Sequence, residues 1–150
     1  MKLSSKAEYA LRALLDLALH HDEGLVQISD VARRTNIPIK YLEQIMLTLK
    51  SAGILSSKRG VGGGYSLARP PEDISMGEVL SLLDGSSDSD SCVSVATNAC
   101  PNQRACSIRS VLIDAREAMA RIVDHTSFAD LASRSRELEQ SANGRVMYYI

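Results

Sequence analysis

A mainly α-helical fold with one small β-hairpin is what these 150 residues predict, on three observations. Between Ile28 and Ala68 two short amphipathic helices flank a tight turn and run into a glycine-rich hairpin. Capping-box spacings at Ser5-Lys6-Ala7-Glu8 and Ser75-Met76-Gly77-Glu78 open further helices. A long apolar stripe then recurs at three- and four-residue steps from Ile108 to Val123. Together they read as a winged helix-turn-helix followed by a long C-terminal dimerisation helix. The expected organisation is a DNA-binding unit over residues 1–84, a cysteine-bearing loop over 85–106, dimerisation helices over 107–140 and a tail over 141–150.

Composition sets the outer bounds. Three cysteines, an odd number, argue against a disulfide framework. No apolar run approaches the roughly 20 residues of a membrane span and the N-terminus lacks a signal-peptide core, so a cytoplasmic protein without a membrane partner is expected. The net charge of −1 speaks against nucleic acid until its distribution is considered. Residues 1–69 carry ten Lys and Arg against six acids, a balance of +4, whereas residues 70–150 carry seven against twelve, a balance of −5. The basic half is the half with the helix-turn-helix, where a local patch can bind phosphates.

In chain order, Ser5 is expected to cap the first helix with Leu3 stapled over it, and Ala7, Leu11, Leu14, Leu15 and Ala18 form its buried stripe. Tyr9 and Arg12 lie off that stripe, free to face solvent, the DNA backbone or a partner subunit. Ser29 or Asp30 can cap the next helix, and Asn36 stops it. Pro38 suits the first turn of a helix running from Ile39 to Ala52, which Gly53 closes. Leu42, Ile45 and Leu49 define its inner face. At about 100° per residue, Lys40 and Gln44 point the opposite way and Tyr41 and Glu43 flank them. This is the part of a recognition helix that meets base edges in the major groove.

Leu55 to Lys58 and Tyr65 to Ala68 read as strands around Arg59-Gly60-Val61-Gly62-Gly63-Gly64. The glycines let backbone approach a phosphate, Lys58 and Arg59 place cations at the base of the turn, and Arg59 is long enough to enter a minor groove. A nucleotide-binding loop is rejected, because no Gly-Lys-Ser/Thr follows and Pro70-Pro71 replaces the required helix. A helix follows from Ser75 to Asp84, then the cysteine-bearing loop, a helix from Ser107 to His125, and a last helix from Ser127 to about Gln140.

Cys92, Cys100 and Cys106 stand in a stretch without helical or strand periodicity. With seven and then five residues between them, they do not make a zinc knuckle, which wants Cys-x2–4-Cys pairs. Wider spacing suits an iron-sulfur cluster, whose thiolates reach different corners of a larger object. The set is one ligand short, leaving another residue, another subunit, water or a small thiol to complete it. A metal-free thiol switch and plain loop cysteines remain alternatives. No nucleophile-base pair points to an enzyme.

The opening Met-Lys-Leu-Ser-Ser-Lys-Ala-Glu-Tyr-Ala-Leu-Arg, the Tyr41-Leu42-Glu43-Gln44 run, the Arg59-Gly60-Val61-Gly62-Gly63-Gly64-Tyr65 wing and the three-cysteine loop before a long helix resemble the IscR/NsrR family of bacterial winged-helix regulators. The resemblance spans nearly the whole chain. It implies a homodimer that binds double-stranded DNA, with Tyr41, Glu43 and Arg59 as DNA contacts. It also implies a [2Fe-2S] or [4Fe-4S] cluster on Cys92, Cys100 and Cys106 with a variable fourth ligand. IscR-like members place a His three residues after the third cysteine, where this chain has Arg109. NsrR-like members use an acidic residue of the other subunit near the start of the first helix, a position matched by Glu8.

The tail raises a last expectation. Val146-Met147-Tyr148-Tyr149-Ile150 is largely apolar at a terminus that would otherwise fray, so something should cover it, either the dimer itself or a partner enzyme. The ending resembles that of CymR-type members of the family. That resemblance implies O-acetylserine sulfhydrylase as a partner, with Tyr149 and Ile150 docking through the terminal carboxylate.

Overall fold

A computed structural model describes residues 3–85 and 106–146. Helix α1 (Ser5–Leu19) lies at the centre of the body, packed against α2 (Ile28–Thr35), α3 (Ile39–Ser51), α4 (Met76–Asp84) and α6 (Phe128–Val146). Its N-cap is Ser4, one residue earlier than the expected Ser5, and Ser4 Oγ accepts a hydrogen bond from the Ala7 amide at 3.1 Å. That shift puts Glu8 four residues past the cap, beyond reach of a capping box. Glu8 instead pairs with Arg12 at 2.6 Å.

The helix-turn-helix departs from expectation only at its joints. Helix α2 begins after Gln27, which makes no side-chain cap, so Ser29 and Asp30 sit inside its first turn and Asp30 pairs with Arg33 at 3.0 Å. Asn36 ends the helix in the left-handed conformation, φ 55°, which asparagine tolerates. Helix α3 begins at Ile39 as expected with Pro38 as its N-cap, and the Pro38 carbonyl accepts from the amides of Tyr41 and Leu42 at 3.0 Å. Val31, Ile37, Leu42, Ile45, Met46 and Leu49 are buried in one core with Leu14 and Leu17 of α1. Asp16 is the one buried charged residue among those described, and both its oxygens accept from Arg34 at 2.7 Å, locking α1 onto α2. The bond to Asp16 raises the Arg34 pKa above its ordinary value.

Strands β1 (Leu55–Lys58) and β2 (Gly64–Leu67) pair antiparallel, with Leu55 opposite Leu67 and Lys58 opposite Gly64. Val26, not expected in a sheet, bonds Tyr65 on the other edge of β2 through both backbone groups, at 2.9 and 2.8 Å.

Ser75 caps α4 as its spacing predicts, accepting from the Glu78 amide at 3.1 Å. Helix α5 (Ser107–Asp124) begins after Cys106, so Cys106 and not Ser107 holds the N-cap position. Ser127 and Asp130 exchange hydrogen bonds at the start of α6. This helix runs on through the polar stretch to Val146, past the expected stop near Gln140. The turn between α5 and α6 is fastened to the start of α4 by Met76 N–H donating to the Thr126 carbonyl at 2.8 Å and Phe128 N–H to the Ile74 carbonyl at 3.0 Å. Phe128 is fully buried in the same core as Leu14. No residue of α5 is buried, and Ile108, Val111, Leu112 and Ile122 are exposed.

Candidate nucleic-acid interface

The inner face of α3 consists of Leu42, Ile45, Met46 and Leu49, which turns Lys40, Tyr41, Glu43 and Gln44 outward. The wing stands beside this helix. Gln27 and Ser29 at the start of α2, Leu47 and Lys50 on α3, and Lys58, Arg59 and Gly60 in the wing share the walls of a groove of about 390 Å³. Lys50 is held there by donating to Ser57 Oγ at 2.6 Å.

Two glycines fix the wing's shape. A Cβ on Gly63 would overlap the Lys58 carbonyl, and one on Gly64 would come within 2.5 Å of the Val26 carbonyl oxygen. Gly60 has φ +99° and its carbonyl accepts from the Gly63 amide at 2.9 Å, closing the turn. The backbone beyond Arg59 is therefore bare of side chain on both sides of Val61.

Among the described residues, several arginines of the body are paired with carboxylates, and the cations of this surface are not. Arg12, Arg33, Arg34 and Arg69 are neutralised by Glu8, Asp30, Asp16 and Glu78. Lys40, Lys50, Lys58 and Arg59 have no carboxylate partner among the described residues. Cations left unpaired on one face are what attracts a polyanion.

Tyr41 ties this face to α1. Its ring meets that of Tyr9 edge-on, with centroids 5.6 Å apart and planes at 83°. The Arg12 guanidinium lies 6.0 Å from the Tyr9 centroid while bonded to Glu8. Ser4 donates through its amide and its hydroxyl to the Asp84 carboxylate, bringing the end of α4 to the N-terminus of α1, one turn from Glu8. Of the expected cluster ligands, Glu8 is half-exposed, and Cys106 is half-buried with no capping bond and, among the described residues, no disulfide partner. Cys92, Cys100, Tyr149 and Ile150 lie outside the described residues.

Residues 3–134 match the Rrf2 family, described as an iron-dependent transcriptional regulator. The chain belongs to the Rrf2 family. It is 37% identical over 131 residues to the HTH-type transcriptional regulator IscR of Aliivibrio salmonicida, which covers 87% of this chain and 77% of that protein. Its fold is similar to the solved structure of CymR, the global cysteine regulator of B. subtilis, with TM-score 0.76 and 31% identity over 89% of this chain and 98% of that one. It is similar also to T. potens IscR, with TM-score 0.75 and 31% identity over 92% of this chain and 90% of that one.

As an Rrf2 protein it is a DNA-binding transcription regulator with a winged-helix fold. Among its described residues no helix is long and apolar enough to cross a membrane. Lys50 and the Tyr9–Tyr41 contact escaped the sequence reading. Lys50 carries a weak signal, a lysine ten residues after Lys40 on the same helix. The tyrosine pair carries none, because 32 residues of chain separate its members.

Proposed function

We propose that this Rrf2 protein is a homodimer whose affinity for DNA is set by an iron-sulfur cluster on Cys92, Cys100 and Cys106, with Glu8 of the other subunit as the oxygen ligand. Such a cluster supplies one-electron redox chemistry and reactivity toward small oxidants when bound. The donor set of the described residues is compatible with it. Among the described residues the Cys106 thiol has no disulfide partner and stands at the N-terminus of an 18-residue helix, and Glu8 is accessible on α1.

The observation that carries the reading is the contact chain Glu8, Arg12, Tyr9, Tyr41. Drawing the Glu8 carboxylate away from Arg12 leaves a cation against the Tyr9 ring, and Tyr9 abuts the first turn of the recognition helix. A ligand change at one end thus bears on DNA contact at the other. In this reading Lys40, Tyr41, Glu43 and Gln44 enter the major groove, Arg59 reaches the minor groove, and Lys58 and Gly60 meet phosphates.

Anaerobic purification followed by visible absorption and iron and sulfide analysis tests the proposal. A coloured protein that loses its cluster in Cys92→Ala, Cys100→Ala and Cys106→Ala, and holds it less stably in Glu8→Ala, is the expected outcome. A protein that stays colourless after reconstitution, yet binds DNA, rejects it.

The likeness to CymR, the global cysteine regulator of B. subtilis, favours a second reading: a cluster-free regulator of cysteine metabolism acting by a thiol switch or by docking Tyr149 and Ile150 into O-acetylserine sulfhydrylase. Calorimetry of the sulfhydrylase against the full chain and a variant lacking Ile150 checks the docking. Equal binding by both, or by neither, removes it.

A further inference from the structure

We infer that Leu47 is a specificity-determining residue that reads the 5-methyl group of thymine in the major groove. The inference rests on the DNA-binding reading above and adds to it a base preference. Leu47 is 58% exposed, more than any other apolar side chain of α3, where Ile39 is 43% and Tyr41 36% exposed. A lone exposed leucine elsewhere needs no explanation. Position decides here.

At about 100° per residue, the buried stripe of Leu42, Ile45, Met46 and Leu49 centres on Leu42, and Leu47 then lies about 140° away, between Glu43 at about 100° and Lys40 at about 160°. Leu47 therefore occupies the middle of the outward face. At about 1.5 Å rise per residue it sits about 4.5 Å along the axis from Gln44, little more than one base-pair step of about 3.4 Å.

The walls around it say what comes to meet it. Leu47 shares its groove with Lys50, Lys58 and Arg59, a basic setting that suits a polyanion and not the apolar face of a protein. Within a duplex the apolar feature displayed in the major groove is the thymine methyl, and aliphatic contact with it is an established way of telling that base from the others. Leucine can neither donate nor accept a hydrogen bond, so the remaining base edges offer it nothing specific.

The test begins with selection of a preferred duplex from a random pool by the full-length protein. Each thymine of that duplex is then replaced in turn by deoxyuridine, which removes the methyl and leaves the pairing edge unchanged. The expected result is a thymine position at which the replacement weakens wild-type binding about four-fold, the worth of one buried methyl. Leu47→Ala abolishes that difference and Leu47→Met retains it. Leu47→Ala also leaves the dependence of affinity on salt unchanged, because no phosphate contact is lost. Circular dichroism verifies that both variants fold, as expected for an exposed position.

If no thymine is sensitive to loss of its methyl, or if Leu47→Ala is as sensitive as wild type, the inference is overturned while DNA reading stands. If Leu47→Ala leaves affinity for the selected duplex untouched, the side chain faces something other than DNA and the inference again fails. Failure to enrich any duplex overturns the DNA-binding reading itself, and this inference with it.

Discussion

Arg59 and Lys58 are neighbours in the wing with the same charge, yet they are expected to behave differently when removed. Arg59, at the edge of the turn and without a carboxylate partner among the described residues, is suited to entering a minor groove; Arg59→Ala should weaken binding to a selected duplex by about 1–3 kcal/mol and leave random duplex less affected. Lys58 carries a point charge suited to a phosphate. Lys58→Ala should lower affinity on both duplexes alike and reduce the salt slope by about one unit. Anisotropy titrations on the two duplexes across a salt series measure both effects, and equal losses for Arg59→Ala on both would remove its role as reader. At this scale Lys40, Tyr41, Glu43 and Gln44 were legible as outward residues of α3 because Leu42, Ile45 and Leu49 fix the opposite face, whereas the exposed Leu47 and Lys50 beyond them were not singled out. The cap of α1 was not legible either. Local spacing favours Ser5, three residues before Glu8, but the cap is Ser4, whose amide and hydroxyl both bond Asp84, 80 residues away.

The wing shows how an element can be legible while its attachment is not. Strand, glycine turn and strand were evident from composition, and β1 and β2 fall within a residue of the expected limits. Val26, the third contributor, supplies a single bridged residue, too short for any alternation to betray. Its pairing explains why position 64 is glycine. An alanine there would press on the Val26 carbonyl, and because the obstacle is backbone, relief requires the bridge to Tyr65 to open. Gly64→Ala is accordingly expected to destabilise the fold by about 1–3 kcal/mol in urea unfolding, the range for overpacking at a site that cannot yield. The same variant should lose DNA affinity through misplacement of Lys58 and Arg59. Unchanged unfolding midpoint and unchanged affinity together would contradict the role assigned to the bridge. The end of α6 teaches a related lesson: Ser141 to Gly144 looks like a stop by composition, yet the helix continues to Val146.

Among the described residues, the contacts that fasten α5 to the rest of the fold lie at its C-terminal end. Phe128, buried in the common core, and the backbone bonds of Thr126 and Phe128 to the start of α4 fix the C-terminal end of α5 to the DNA-binding body. The apolar stripe of α5 was legible from its periodicity; this anchorage was not, because Phe128 gains its partners only in three dimensions. With no side chain of α5 buried in the chain itself, Ile108, Val111, Leu112 and Ile122 leave an apolar face for which a second copy is the natural cover. A two-fold pairing along α5 would carry the two recognition helices as rigid attachments, and a spacing near one turn of duplex, about 34 Å, would let both enter one face of the DNA. Ile108 and Ile122 are 70% and 69% exposed, so charging them should spare the fold. The double variant Ile108→Glu, Ile122→Glu is therefore expected to sediment as a folded monomer with an unfolding midpoint near that of the wild type after allowance for concentration. It should lose most of its affinity for a two-fold site but keep the weak binding of one half-site. A variant that still sediments as a dimer would place the subunit contact on another surface and detach α5 from the role given to it here.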